Sequence, residues 1–182
     1  MIIGIILVVL IVAAFFYFVN VQKDLIAKEE RVKNALSTIG VQTKSRWDAL
    51  KQLANTVSGY KSHEVDTLLK VVEARSGYTP TTFEQIKESE KDISKAMGAL
   101  NVVVEQYPEL KANTVFENMM NSINDYENKV RISRQVYNDT ATMLNQMVRA
   151  FPTSIVAGMI NIQPYSYLET SEETQEMPDL KF

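Results

Sequence analysis

The chain contains no cysteine, which excludes disulfides, thiolate metal sites, a cysteine nucleophile and anchoring through a lipid-modified cysteine. It has one histidine, His63. A carboxylate-bridged di-metal bundle needs a Glu-x-x-His element on each of two helices, and a metalloprotease helix needs two histidines, so neither is expected within one chain. No Gly-x-Ser-x-Gly occurs, and the glycines Gly4, Gly40, Gly59, Gly77, Gly98 and Gly158 lie too far apart to build a phosphate-cradling loop. Basic excess is also lacking: the net charge is -3, with acids and bases interspersed, which argues against nucleic acid as a partner. No catalytic set, cofactor or metal is expected, and the chain is not read as an enzyme.

What the sequence does have is a leading apolar run. Residues 2–19, IIGIILVVLIVAAFFYFV, carry no charge, and such a run is read as membrane-spanning, with Ile2, Ile3, Ile6, Leu7, Leu10, Ile11, Phe15 and Phe18 among the spanning positions. At about 1.5 Å per residue the run covers roughly 27 Å of a hydrocarbon core about 30 Å thick, so the span is assigned to residues 1–21. A cleaved secretory signal would have a basic leading region, and no Lys or Arg precedes Ile2. Lys23, Lys28, Arg31 and Lys33 follow the run closely, which favours an N-terminus outside and a cytoplasmic domain.

The remaining chain is divided by Pro80, Pro108, Pro152, Pro164 and Pro178 into blocks with helical periodicity. From residue 20 to about Arg75, one stripe recurs through Val21, Leu25, Val32, Leu36, Ile39, Trp47, Leu50, Leu53, Val57, Leu68 and Val72. It predicts a single long helix in which Gly40 and Gly59 mark bends or close packing. Gly77 and Pro80 then stop it, Thr81 or Thr82 offers an N-cap, and a second helix from Phe83 to about Val104 is expected antiparallel to the first. After a turn at residues 107–113, a third stripe runs from Val115 or Phe116 to Phe151. A short apolar run at residues 155–160 is expected to cap the bundle, with contact to a membrane or neighbour as the alternative. From Pro164 the tail is acidic, through Glu169, Glu172, Glu173 and Glu176. It is expected to be weakly ordered unless Tyr165, Tyr167, Leu180 and Phe182 dock.

An ordered set of short stretches resembles the LemA family of bacterial membrane-anchored helical proteins. The set comprises Arg46-Trp47-Asp48, Gly59-Tyr60, His63-Glu64, the segment around Tyr107-Pro108-Glu109-Leu110, Glu127-Asn128, Arg134, Tyr137-Asn138 and Phe151-Pro152. The sequence departs from that pattern at Trp47, where tyrosine is expected, at Lys51, where proline is common, and at Leu144-Asn145, where a second Tyr-Asn pair is usual. The resemblance implies a single-pass membrane protein bearing an antiparallel helical bundle, and the expected location is the inner membrane. It implies no reaction.

The expected fold is therefore all-α: a transmembrane helix at residues 1–21 continuing into a long antiparallel three- to four-helix bundle or coiled coil at residues 22–162, then a tail at 163–182. Glu127, Asn128, Arg134, Tyr137 and Asn138 are the candidate specific residues, either fixing the bundle's register or forming an interface. The expected function is a membrane-anchored scaffold that self-associates or organises other membrane proteins, in contact with membrane lipids. An adaptor for signalling or membrane-protein proteolysis is the alternative. Self-association is expected because the first helix outruns the others, leaving its stripe between Val21 and Ile39 to be covered by a second copy.

Overall fold

Nothing between Ile2 and Val57 breaks a helix strongly, and in the computed structural model these residues form one unbroken helix, α1 (Ile2–Val57). The structure describes residues 1–60, 63–75 and 77–168. The expectation of one helix to Arg75 is corrected: α1 stops at Val57, where the Ser58 hydroxyl donates to the Asn55 carbonyl and Ser58-Gly59-Tyr60 turns the chain. Gly59 costs a helix about 1 kcal/mol relative to Ala, enough to place the break there. A second helix, α2 (His63–Arg75), follows. Gly77, at a φ of 79°, and Pro80 end it as expected.

The next helix, α3 (Phe83–Gln106), begins with a capping box in which the Thr82 hydroxyl accepts from the Gln85 amide while the Gln85 side chain accepts from the Thr82 amide. A 3-10 turn at Pro108–Ala112 leads to α4 (Thr114–Arg149). Asn113 caps α4, its side-chain oxygen accepting from the amides of Val115 and Phe116. The last helix, α5 (Thr153–Met159), follows a cis Phe151–Pro152 peptide. Its first residue, Thr153, donates to the Met147 and Ala150 carbonyls, serving the exposed end of α4. Among the described residues there is no strand, and the architecture is all-α.

The chain divides into two compact units, Leu36–Arg134 and the pair of segments Met1–Ala35 and Gln135–Phe182. The first is a four-helix bundle. Trp47, Leu50, Leu53, Leu68, Ile93 and Leu100 lie in its core. Within it α1 and α3 run parallel: Gly40 meets Pro80, Arg46 meets Glu90, and the Tyr60 and Tyr107 rings pack with centroids 4.6 Å apart. The antiparallel course expected for the second long helix is thus corrected. Because the first block breaks at Gly59, α2 makes the return, and α3 reverses again. Arg46 with Glu127 and Thr56 with Met119 show α4 antiparallel to α1. Gly40 permits the closest approach, since a Cβ there would stand 2.1 Å from the Pro80 carbonyl oxygen.

In the second unit, residues 2–17 of α1 are exposed throughout, whereas Val21, Leu25 and Val32 are buried. The stripe expected to be uncovered is therefore covered within the chain. The C-terminal part of α4 contributes Tyr137, Ala141 and Leu144, and residues after α5 contribute Ile162 and Leu168. The expectation of a second copy on that stripe is corrected, because the third long helix and the segment following α5 return along the first.

Candidate functional site

Two polar constellations stand out, one in each unit. In the four-helix bundle, Arg46 of α1 is buried, and its guanidinium lies 3.4 Å from one Glu90 oxygen on α3 and 2.9 Å from Glu127 on α4. Arg134 of α4 reaches the other Glu90 oxygen at 3.0 Å. Two cations and two anions thus tie three helices with no net charge. Glu127 is mostly exposed, so the desolvated part of the network is Arg46 with Glu90 and Arg134. Thr43 and Trp47, within one turn of Arg46, and Ser89 beside Glu90 are buried with polar atoms that have no protein partner. The arrangement ties α1, α3 and α4 together through Arg46, Glu90, Glu127 and Arg134.

A second ion pair closes the α2–α3 hairpin of the same unit. The Arg75 guanidinium makes two hydrogen bonds to one Asp92 oxygen, at 2.9 and 2.7 Å, and lies 2.6 Å from Glu88. Burial pushes the Asp92 carboxyl up, but the Arg75 hydrogen bonds and charge, with Lys95, outweigh it and hold the carboxyl below its ordinary value.

In the other unit, α5 ends in a Schellman motif. Asn161 adopts a φ of 58°, its amide donates to the Gly158 carbonyl, and the Ile162 amide donates to the Ala157 carbonyl. This turn sends residues 162–168 back along α4 as an extended strap. Asn145 holds it by donating to the Tyr165 carbonyl and accepting from the Tyr165 amide, both at 2.8 Å. Asn138 does the same for Leu168, at 2.8 and 2.9 Å. The spacing explains why two such clamps fit: seven helical residues rise about 10.5 Å, and three extended residues span about 10 Å. Each asparagine amide acts as the edge of a neighbouring strand.

Two phenols complete the strap. Tyr137 donates its hydroxyl to the Ser166 carbonyl at 2.9 Å, and the Tyr165 hydroxyl lies 3.3 Å from the Glu29 carboxylate on α1. Burial first, then the neighbouring Tyr165, raises the Tyr137 pKa; burial first, then Glu29, raises that of Tyr165. Both phenols stay protonated and act as donors at neutral pH.

The five sequence-derived positions thus separate. Glu127 and Arg134 enter the ion network, Tyr137 and Asn138 grip the strap, and Asn128 is exposed on α4. Asn145, Arg46 and Glu90 were not among them. The signal for Asn145 was its seven-residue spacing from Asn138, and the Leu144-Asn145 departure removes a tyrosine while keeping the clamping amide. Glu169, Glu172, Glu173, Glu176, Leu180 and Phe182 lie outside the described residues. His63 starts α2 and is exposed, and among the described residues no group of three or more His, Asp or Glu is placed to hold a metal.

A family model described as the LemA family matches residues 35–182. Protein LemA of Metamycoplasma hominis is 29% identical over 171 residues, spanning 92% of this chain and 78% of its own length. Shorter matches join the chain to magnetosome proteins. MamQ 2 of Paramagnetospirillum magneticum is 28% identical over 74 residues, or 41% of this chain and 27% of its own length. MamQ of Magnetospirillum gryphiswaldense is 28% identical over 72 residues, or 40% and 26%. None of these relatives is named for a reaction. Since the matched region takes in most of the chain, including the network around Arg46 and both asparagine clamps, the chain belongs to the LemA family.

Proposed function

We propose that this chain is a single-pass, membrane-anchored helical scaffold that self-associates and organises partners at the bacterial inner membrane, with its bundle on the cytoplasmic side. The observation that carries the reading is α1 itself: one unbroken helix holds both a charge-free segment exposed from Ile2 to Tyr17 and a stripe buried from Val21 onward. Among the described residues it is the one helix long and apolar enough to cross a membrane. Within the second unit the exposed segment and the buried residues Val21, Leu25 and Val32 belong to one helix, so no linker separates the span from that unit's core.

Self-association would use α4. Ile132, Val136 and Met143 are exposed at a spacing of four and then seven residues, which places them on one face of that helix. Such an apolar stripe, in a helix already packed on its other side, suits the same face of a second copy. The test is the mass of the full-length protein in mild detergent, with Val136→Glu and Met143→Glu variants beside it. Assemblies that both variants dissolve while helicity is kept support the reading. A monomer at every concentration overturns self-association.

A further inference from the structure

The end of the second unit nearest the apolar segment carries an unusual surface. Phe151 is 82% exposed, Ile155 56% and Met159 70%, and the last two share a face of α5 at i,i+4. Residues 150–168 contain no charged side chain at all, whereas Lys23 and Arg149, both exposed, flank the region.

The position of this surface along α1 follows from contacts inside the unit. Asn145 of α4 clamps Tyr165, and Tyr165 reaches Glu29 of α1, so Asn145 and Glu29 are level. The unit is bounded by Ala35 on α1 and Gln135 on α4, and α4 runs from that boundary toward the N-terminal part of α1. From Asn145 to the end of α4 at Arg149 is about 6 Å, which reaches the level of Leu25, and α5 lies beyond. Burial along α1 agrees: it begins at Phe18 and Val19, deepens at Val21, and is absent before them. The uncharged surface therefore sits where the exposed apolar part of α1 ends.

We propose that Phe151, Ile155 and Met159 dip into the interfacial layer of the bilayer that α1 crosses, giving the module a second, non-spanning membrane contact. The proposal rests on the reading of α1 as a span. Its occupant is lipid because the surface continues the exposed apolar surface of α1, lies at the margin of that segment, and is flanked by Lys23 and Arg149, which suit anionic headgroups. With two contacts the module is held at a set tilt instead of swinging about one helix.

The absence of cysteine makes the test clean. Single-cysteine variants Leu10→Cys, Ile155→Cys, Met159→Cys and Asp139→Cys of the full-length protein are spin-labelled and reconstituted into vesicles of phosphatidylcholine and phosphatidylglycerol. Collision with oxygen is then compared with collision with a water-soluble nickel chelate. Oxygen should dominate at 155 and 159, as at 10, and the chelate should dominate at 139. If 10 is lipid-exposed while 155 and 159 meet the chelate freely, the second contact is refuted and the span stands. If 10 also meets the chelate, the span itself fails and the contact with it. Spin–spin broadening at 155 that vanishes on dilution with unlabelled protein would assign the surface to a second copy, and overturn lipid as its occupant.

Discussion

Replacing Asn145 with alanine removes both hydrogen bonds that hold Tyr165, one to its carbonyl and one from its amide. Each is a neutral bond whose net contribution is about 1 kcal/mol, so the substitution costs about 2 kcal/mol of strap docking. The full desolvation penalty of the orphaned groups is not incurred, because a released strap regains water. A loss of about 2 kcal/mol corresponds to a roughly 30-fold rise in the population of the open strap. Hydrogen exchange reads this directly, since the Tyr165 and Leu168 amides donate to Asn145 and Asn138. Both amides should exchange roughly 30-fold faster in Asn145→Ala, and adding Asn138→Ala, which removes the second clamp on the same strap, should accelerate them further. Exchange changed by less than about twofold at both amides would show that the asparagines do not hold the strap.

Gly40→Ala should lower the melting temperature of the full-length protein, because its Cβ would stand 2.1 Å from the Pro80 backbone, whereas Gly98→Ala, with open space around it, should raise stability by about 0.5–1 kcal/mol. Arg46→Ala should cost about 3 kcal/mol by removing one of the two guanidiniums that neutralise Glu90 inside the bundle, while Glu127→Ala, at a carboxylate 57% exposed, should cost under about 1 kcal/mol in chemical denaturation. The Asp92 carboxyl is held below its ordinary value in the folded state. Its contribution is therefore complete above the unfolded carboxyl pKa of about 3.9 and is lost as pH falls through the lower folded value. Asp92→Asn should accordingly destabilise the protein at neutral pH and converge on the wild type in strong acid, as followed by denaturant titration across that range. Arg134→Ala and Asn138→Ala separate structure from interface at the positions found from sequence: a fall in melting temperature for both marks register, and altered assembly alone marks an interface.

Much of this fold was legible because helical periodicity and breakers act locally. The stripe from Val21 to Val57, the Gly77-Pro80 stop, the Thr82 cap and the Pro108 turn all appear where residue chemistry puts them. Direction was not legible past Gly59: whether a glycine bends a helix or ends it depends on what packs beyond it, and here Tyr60 turns away to meet Tyr107. One misplaced break reversed the expected sense of α3. Coverage of the Val21–Val32 stripe was missed for a related reason, since it depends on how far α4 and the strap return.

The candidate site was half legible. Tyr137, Asn138, Glu127 and Arg134 stood out as polar residues in an otherwise apolar or solvated helix. Their partners, Ser166, Leu168, Arg46 and Glu90, are 29 to 81 residues away in several of the bonds and leave no periodic mark. α4 grips the strap through the strap's backbone atoms, which no side-chain pattern announces.

A membrane-anchored role requires that α1 stay attached and cross the bilayer while its Val57 end is built into the four-helix bundle. Alkaline carbonate extraction of native membranes, followed by mass determination of the pelleted protein, decides whether it does. The full chain should stay in the membrane pellet with residues 1–21 intact, and Leu10→Arg should release it. A protein found in the supernatant with a mature N-terminus after residue 20 would contradict the account.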